Sequence, residues 1–262
     1  MNLDLTGKHV LITGGTRGIG YACAAEFLRE GCKVTIVGRD AARADRACAS
    51  LRSGQADVGA LAADLTDPAA ALAMIDQAEK DRGPVDILVN SAGAAKRTPY
   101  DELQPQAWHD AMQAKFFTYV HMMDPLVRRM GARGTGCIVN VIGMGGKVAT
   151  TTHLAGGAAN AALMLATAGL ANAWGPRGVR INAVNPTLTL TDRLAEGFAV
   201  DARLRHTTEA EVLKQAERKL PLGRLAQPEE VAAAVLFLAS PRASYVSGAI
   251  LSMDGASVPL VA

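Results

Sequence analysis

At 262 residues, with 49% hydrophobic and 20% charged side chains, the chain has ample material for a core and excludes a disordered or coiled-coil protein. A formal net charge of +2, spread without a dense Lys/Arg stripe, leaves no electrostatic footprint for nucleic acid. Cys23, Cys32, Cys48 and Cys137 show no Cys-x-x-Cys spacing, so buried reduced thiols are expected and neither a metal nor a disulfide framework is. The opening MNLDLTGKHV has no basic-then-apolar export pattern, and a cytoplasmic protein is the expectation.

In chain order, KHVLIT (8–13) is a short apolar run that closes on a glycine cluster, and a helical pattern follows from Gly18 to Glu30. CKVTIVG (32–38) is a second, β-branched run, followed by a helical Ala/Arg-rich segment from Ala41 to Leu51. VGALAAD (58–64), VDILVN (85–90) and GCIVNVI (136–142) repeat the arrangement, and GVRINAVN (178–185) and GAILSMDG (248–255) complete it. Short strands alternating with longer helices specify βαβ units and a parallel sheet buried on both faces. The expected fold is therefore α/β, a single-domain doubly wound parallel sheet (a Rossmann fold) of about seven strands over residues 1–262.

Two segments stand out from this alternation. TTHLAGGAANAALMLATAGLANA (151–173) carries no charge after His153, yet Asn160, Thr167 and Asn172 interrupt it and large apolar side chains are few. A packed helix is expected there and a membrane span is not. The connection 187–224 is oversized and holds the charged stretch RLAEGFAVDARLRHTTEAEVLKQAERKL (193–220). At the carboxyl end of a parallel strand, such an excursion is either a substrate cover or a solvated insertion. Arg193, Arg203, Arg205 and His206 within it suit an anionic ligand and suit a water-facing surface equally well.

TGGTRGIG (13–20) lies directly between the first strand and the first helix. Glycines there let backbone amides approach a pyrophosphate at the positive end of the helix. Gly14, Thr16, Arg17, Gly18, Ile19 and Gly20 are the expected phosphate cradle. At the end of the second strand, where an NAD-preferring protein places a carboxylate, this chain has Gly38 and then Arg39. A guanidinium suits a 2′-phosphate, and Arg17 is placed to share it, so NADP (NADPH) is expected ahead of NAD.

The spacing Gly14-x-x-x-Gly18-x-Gly20 resembles that of the short-chain dehydrogenase/reductase family. AADLTD (62–67), NSAG (90–93), VRINAVNP (179–186) and GRLAQPEEVAAAVLFLASPRASYVSGAILSMDG (223–255) extend the resemblance along essentially the whole chain. It implies an adenine-contacting turn at Asp64 and Leu65, and further cofactor contacts from Asn90, Ala92, Gly93, Asn160, Pro186 and Thr191. It implies a small-molecule substrate and a homo-oligomer, dimer or tetramer, through the helices 153–174 and 105–130. The other reading of the charge-free helix is one packed only on its own sheet. No metal, nucleic-acid or membrane partner is expected.

The family's mechanism, as the resemblance implies, moves a hydride between nicotinamide and a carbonyl or alcohol carbon. A tyrosine is the general acid/base, a lysine four residues later lowers its pKa, a serine holds the substrate oxygen, and an asparagine supports a water relay. Laid on that pattern, GGAANAAL (156–163) puts Gly156 at the tyrosine and Asn160 at the lysine. Gly143 in VNVIGMGG falls on the serine, and Lys115 in WHDAMQAKFF (108–117) on the asparagine. Glycine has no proton to give, so the ordinary mechanism cannot run from these positions.

Two other groups are candidates for the work. If the helix has begun by His153, that residue shares a face with Gly156, and an imidazole with a pKa near ~6.5 suits proton transfer. The alternative is a helix-start histidine facing solvent or a neighbouring subunit. Lys115 falls within the apolar stripe of Trp108, Ala111, Met112, Phe116, Tyr119, Met122, Met123 and Leu126. It either supplies the charge that Asn160 cannot, or runs its stem out to water. Lys147 and Thr150 to Thr152 lie in a nearby loop, and Thr187 replaces the glycine expected after Pro186. Three functions fit: an NADP(H)-binding oxidoreductase with a rebuilt acid/base site, a non-catalytic dinucleotide-binding regulator or scaffold, and a non-redox enzyme on the same fold.

Overall fold

The seven apolar runs form strands β1 (His9–Thr13), β2 (Lys33–Gly38), β3 (Val58–Ala62), β4 (Ile87–Asn90), β5 (Gly136–Val141), β6 (Val179–Pro186) and β7 (Ile250–Met253). The helices are α1 (Gly18–Arg29), α2 (Ala41–Leu51), α3 (Pro68–Arg82), α4 (Pro105–Ala111), α5 (Thr118–Arg133), α6 (Leu154–Trp174), α7 (Asp192–Leu204), α8 (Glu209–Lys219) and α9 (Pro228–Ala239). This computed structural model describes residues 2–52, 54, 56–93 and 95–259, without the side chains of Arg193, Glu196, Val200 and Leu204.

Branched side chains suit a pleated surface, and here they alternate between two cores. Val10, Ile12, Val34, Ile36, Val139 and Val184 pack with Cys23 and Phe27 of α1, Cys48 of α2 and Val231 and Val235 of α9. Leu11, Val37, Leu88, Ile138 and Ile181 turn to the other face, against Ile75 of α3, Met122 and Leu126 of α5 and Leu163 of α6. Each fully buried side chain of this size contributes about 1.5–3 kcal/mol. Both faces are covered, as the near-continuous apolar strands require.

All strands pair in parallel, in the order β3-β2-β1-β4-β5-β6-β7. The sheet grows from β1 in one direction through β2 and in the other through β4. At such a switch the carboxyl ends of the strands open into a crevice. Thr13 clasps its floor, because the hydroxyl accepts from the amides of Ser91 and Ala92, both at 3.1 Å.

The oversized connection folds as α7 and α8, capped at their starts by the hydroxyls of Thr191 and Thr208. A bridge between Thr189 and Ala226 returns it to the end of β6. Between α4 and α5 the expected continuous helix contains a π-turn, Met112–Phe117. One extra residue per turn shifts the helical phase. Trp108, ahead of that turn, consequently leaves the apolar stripe and is 40% exposed.

By length and composition α6 could cross a membrane, with a mean hydropathy of 1.4 over its most apolar window. In this fold it packs on the sheet instead. Thr167, one of the polar interruptions, is fully buried and accepts from Asn140 Nδ2 at 2.9 Å, while its own hydroxyl donates to the Leu163 carbonyl. Asn90 Nδ2 donates to Asn140 Oδ1 at 3.0 Å, so one polar chain joins β4, β5 and α6.

Candidate active site

The crevice begins at the glycine turn. Gly14 has a φ of +67°, and a Cβ there would stand 2.8 Å from the Ser91 carbonyl oxygen and 2.9 Å from Ala92 Cα. Only glycine fits both the conformation and the space. Gly20 lies as tightly against the Gly14 carbonyl. Ile19 packs on the core, and α1 starts without an acidic residue in its first turn. The positive end of α1 therefore faces the crevice beside a cradle that a Cβ would fill. Gly18 borders the start of α7, since a Cβ on it would lie 3.3 Å from Thr191 Cγ2.

At the end of β2, a Cβ on Gly38 would come within 2.6 Å of Thr16 Cγ2. Arg17, the N-cap of α1, and Arg39, just past β2, are the next residues on either side of that approach, and both are exposed. Asp40 caps α2 by accepting from the Arg43 amide at 2.9 Å, which fixes the chain immediately past Arg39. Asp64 accepts from the Thr66 amide at 3.0 Å and hydroxyl at 2.8 Å. Those two bonds, with the Arg39 charge behind them, hold its carboxyl below the usual range. Leu65 is buried, and its carbonyl accepts from His121 Nδ1 at 2.9 Å.

Asn90 closes the wall from within, its carboxamide bonded to Asn140 and to the Thr13 hydroxyl. Ala92 packs on the core, and Gly93 lies against the Ala114 carbonyl and the Thr118 hydroxyl. This half of the crevice can hold a pyrophosphate on backbone amides and a further phosphate on guanidiniums.

The other half is built around a space left by a missing side chain. A Cβ on Gly156 would stand 2.6 Å from His153 Nε2 and 2.8 Å from Ala95 Cβ, so the imidazole fills the volume a side chain there would need. His153 does so from outside the helix. It is the N-cap of α6, with φ −138° and ψ 28°, and its carbonyl accepts from the Gly157 amide at 2.7 Å. The expected relation of two residues inside one helix is thus corrected to a cap folded over the first turn.

Asn160 is buried beside the same cluster. Its Nδ2 lies 3.4 Å and 3.5 Å from the Cβ positions of Gly143 and Gly145, and His153 Cδ2 is 3.1 Å from the latter. The Gly143 amide donates to Asn185 Oδ1 at 3.3 Å. His153, Asn160 and the Gly143–Gly145 turn are therefore one constellation.

Lys115 does not run its stem to water. It is 8% exposed, and Nζ donates to the Tyr119 hydroxyl at 2.7 Å and to the Val141 carbonyl at 3.0 Å. The ammonium is held at the end of β5, two residues before Gly143. The Tyr119 hydroxyl also donates to Val141 O, at 2.5 Å. Tyr119 stands four residues from Lys115 in the same apolar stripe, where only packing was expected of it.

The remaining candidates are dispersed. Pro186 O lies 3.8 Å from the Cβ position of Gly143, and the Thr187 amide donates to Met253 O at 3.2 Å. Lys147 Nζ reaches Ser252 Oγ on β7 at 3.4 Å. Arg203, Arg205 and His206 are exposed at the surface, while the Arg193 side chain lies outside the described residues. Among the described residues no group of three His, Cys, Asp or Glu is set to hold a metal. The four cysteines are buried, and burial pushes Cys23 and Cys32 up to about 12 and Cys137 up to about 11, far from a reactive thiolate.

A family model described as enoyl-(acyl carrier protein) reductase matches residues 14–256. Galactitol 2-dehydrogenase (L-tagatose-forming) of Cereibacter sphaeroides is 37% identical over 254 residues, covering 96% of this chain and 95% of that one. D-threitol dehydrogenase of Mycolicibacterium smegmatis is 35% identical over 254 residues, with 96% and 93% covered. The crystal structure of L-sorbose reductase from Gluconobacter frateurii, complexed with NADPH and L-sorbose, matches with a TM-score of 0.93 at 28% identity, both chains covered in full.

Proposed function

The chain belongs to the short-chain dehydrogenase/reductase family, and from that premise we propose that it is an NADP(H)-dependent oxidoreductase of small polyols or sugars whose proton transfer has passed to His153. The substrate class draws on the galactitol, threitol and sorbose named for its relatives. Gly14, Gly18, Gly20 and the first amides of α1 would hold the pyrophosphate, with Thr16 and Ile19 shaping the turn. Arg17 and Arg39 would take the 2′-phosphate, and Asp64, Leu65, Ala92 and Gly93 would border the adenosine, with Asn90 bracing the wall. Asn160, Pro186 and Thr191 would border the nicotinamide end. When bound, NADP(H) supplies or accepts the hydride.

We take Lys115, Gly143, Gly156 and Asn160 to stand at the family's asparagine, serine, tyrosine and lysine. No phenol is then available at 156. In the oxidative direction the neutral His153 imidazole takes the hydroxyl proton as the adjacent C–H bond gives up its hydride. In the reductive direction the imidazolium returns that proton to the carbonyl oxygen. Lys115, held at the end of β5, adds a positive field that favours charge developing on the substrate oxygen. The observation supporting this reading is the imidazole seated in the space over Gly156.

Turnover of an alditol and ketose panel, comparing wild type with His153→Ala and Lys115→Ala, tests it. Unchanged rates in both variants discard the assigned roles. The side-chain-free positions Gly143 and Gly156 favour one second reading, a non-catalytic dinucleotide-binding protein. NADPH binding without turnover of any substrate would select it, and turnover without NADPH consumption would select a non-redox enzyme.

The outer face of α6 supports a homo-oligomer. Ala158, Ala161, Leu165, Ala168, Gly169 and Asn172 form an exposed, charge-free stripe, and Leu165 is 77% exposed.

A further inference from the structure

The connection from β4 to α4 carries two cations along the rim of the crevice. Ala95 is buried, its Cβ 2.8 Å from the Cβ position of Gly156 where the His153 ring lies. Three residues on, the Thr98 amide donates to the Thr152 carbonyl at 3.0 Å, tying this segment to the loop that precedes α6. Lys96 and Arg97 project from the stretch between these two anchors, and both are exposed.

Arg97 lies beneath α7. A Cβ on Gly197 would stand 3.9 Å from its Nε and 4.0 Å from its Cζ, so α7 turns a residue without a side chain toward the guanidinium. Acidic residues do occur on the neighbouring elements: Asp101 and Glu102 on the 3-10 turn Tyr100–Glu102, and Asp192, Glu196 and Asp201 on α7, the Glu196 side chain lying outside the described residues. Among the described residues, Arg97 forms no ion pair or hydrogen bond with any of them, and Lys96 forms none either. The result is an exposed guanidinium fixed at its base and bordered on one side by α7, two residues along the chain from the alanine that touches the imidazole's niche.

Resting on the redox reading of this crevice, we propose that Arg97 is a specificity-determining residue that reads a carboxylate on the substrate, making the preferred ligand a polyhydroxy acid and not the neutral polyol. The planar fork of a guanidinium matches the two carboxylate oxygens, and Lys96 adds a second positive charge to the same rim. The substrate would lie with its reacting hydroxyl toward His153 and its acid group under α7.

The test is a calorimetric titration of the NADPH-loaded protein, repeated without NADPH, using aldonates of four to six carbons and the alditols of the same lengths. The charge-assisted contact predicts that an aldonate binds about 10- to 100-fold more tightly than its alditol. Arg97→Gln removes that preference, Arg97→Lys keeps part of it, and the NADPH titration and thermal melt stay as in wild type. Equal binding of acid and alditol, binding of neither, or a preference that survives Arg97→Gln overturns the proposal. So does a site that takes a glucitol phosphate ester while refusing every aldonate. An acid preference lost in Arg97→Gln but unaccompanied by turnover upholds this assignment and defeats only the redox reading.

Discussion

Lys115 Nζ stands 2.7 Å from the Tyr119 hydroxyl, and both groups share the Val141 carbonyl as acceptor. The nitrogen is also 4.5 Å from the centre of the tyrosine ring. An ammonium in the core costs desolvation, and these contacts offset part of it. Lys115→Met keeps the stem, removes the charge and leaves the Tyr119–Val141 bond in place. Its urea midpoint should equal or exceed the wild-type value, while kcat falls at least ~10-fold if the ammonium serves the reaction. A variant both less stable and equally active would reverse that assignment. Tyr119→Phe, which strips the lysine of one acceptor, should cost about 1–3 kcal/mol in the same denaturation experiment.

Gly156 and His153 compete for one volume. Gly156→Ala improves helix propensity by up to ~1 kcal/mol, yet its methyl meets the imidazole and must displace it. Turnover should fall at least ~10-fold with NADPH affinity unchanged, and His153→Ala should lose about 100-fold or more. Steady-state kinetics beside a fluorescence titration read both quantities. An active Gly156→Ala enzyme would show that the ring does not need its niche.

Arg39 and Arg17 flank the contact between Gly38 and Thr16. Replacing Arg39 by Glu should weaken NADPH about 10- to 100-fold while NADH changes little. Equal losses for the two dinucleotides would place the 2′-phosphate elsewhere.

His9 links pH to stability at the far end of the sheet. It is buried, and the Gly83 carbonyl 2.7 Å from Nδ1 can only accept, so Nδ1 carries the proton and Nε2 accepts from the Thr35 hydroxyl at 2.9 Å. Burial lowers its pKa below the ordinary value near 6.5. The unfolded chain therefore binds the extra proton first as pH falls. Stability should be full above about 6.5, decline below it, and level off once the folded histidine also titrates. Urea unfolding at a series of pH values should show this slope, and His9→Gln should flatten it.

Leu165 tests the outer face of α6. Leu165→Glu should shift the species seen by light scattering toward monomer, with the helical circular dichroism retained. An unchanged mass would leave the stripe as ordinary surface.

The parallel sheet and its seven strands were legible because the apolar runs alternate with helical patterns, and the glycine turn because it lies between a strand and a helix. Strand ends were less so: VGALAAD stops being strand at Ala62, where the Asp64 turn takes over. The residues expected to border the adenosine sit on consecutive turns at the strand ends, where a local pattern can mark them. The other half of the site was not legible in this way, for local reasons. An apolar stripe assigns Tyr119 only packing and does not show that its hydroxyl meets Lys115, and His153 reaches Gly156 from a cap conformation that helical spacing does not describe. Nothing along the chain marks Arg97, because its neighbour Gly197 lies a hundred residues away.

The wide turn at Met112–Phe117 makes the register of this region depend on a single residue. Excising one amino acid there would give a regular helix, but would rotate everything ahead of the cut by about 100° relative to the segment behind it. Cut ahead of Lys115, the chain would keep the four-residue spacing to Tyr119 and turn α4 relative to that pair. Cut between them, it would shorten the spacing to three and shift the ammonium along the same face. Deletion scanning across these six positions should therefore separate variants that merely fold from those that keep the clasp.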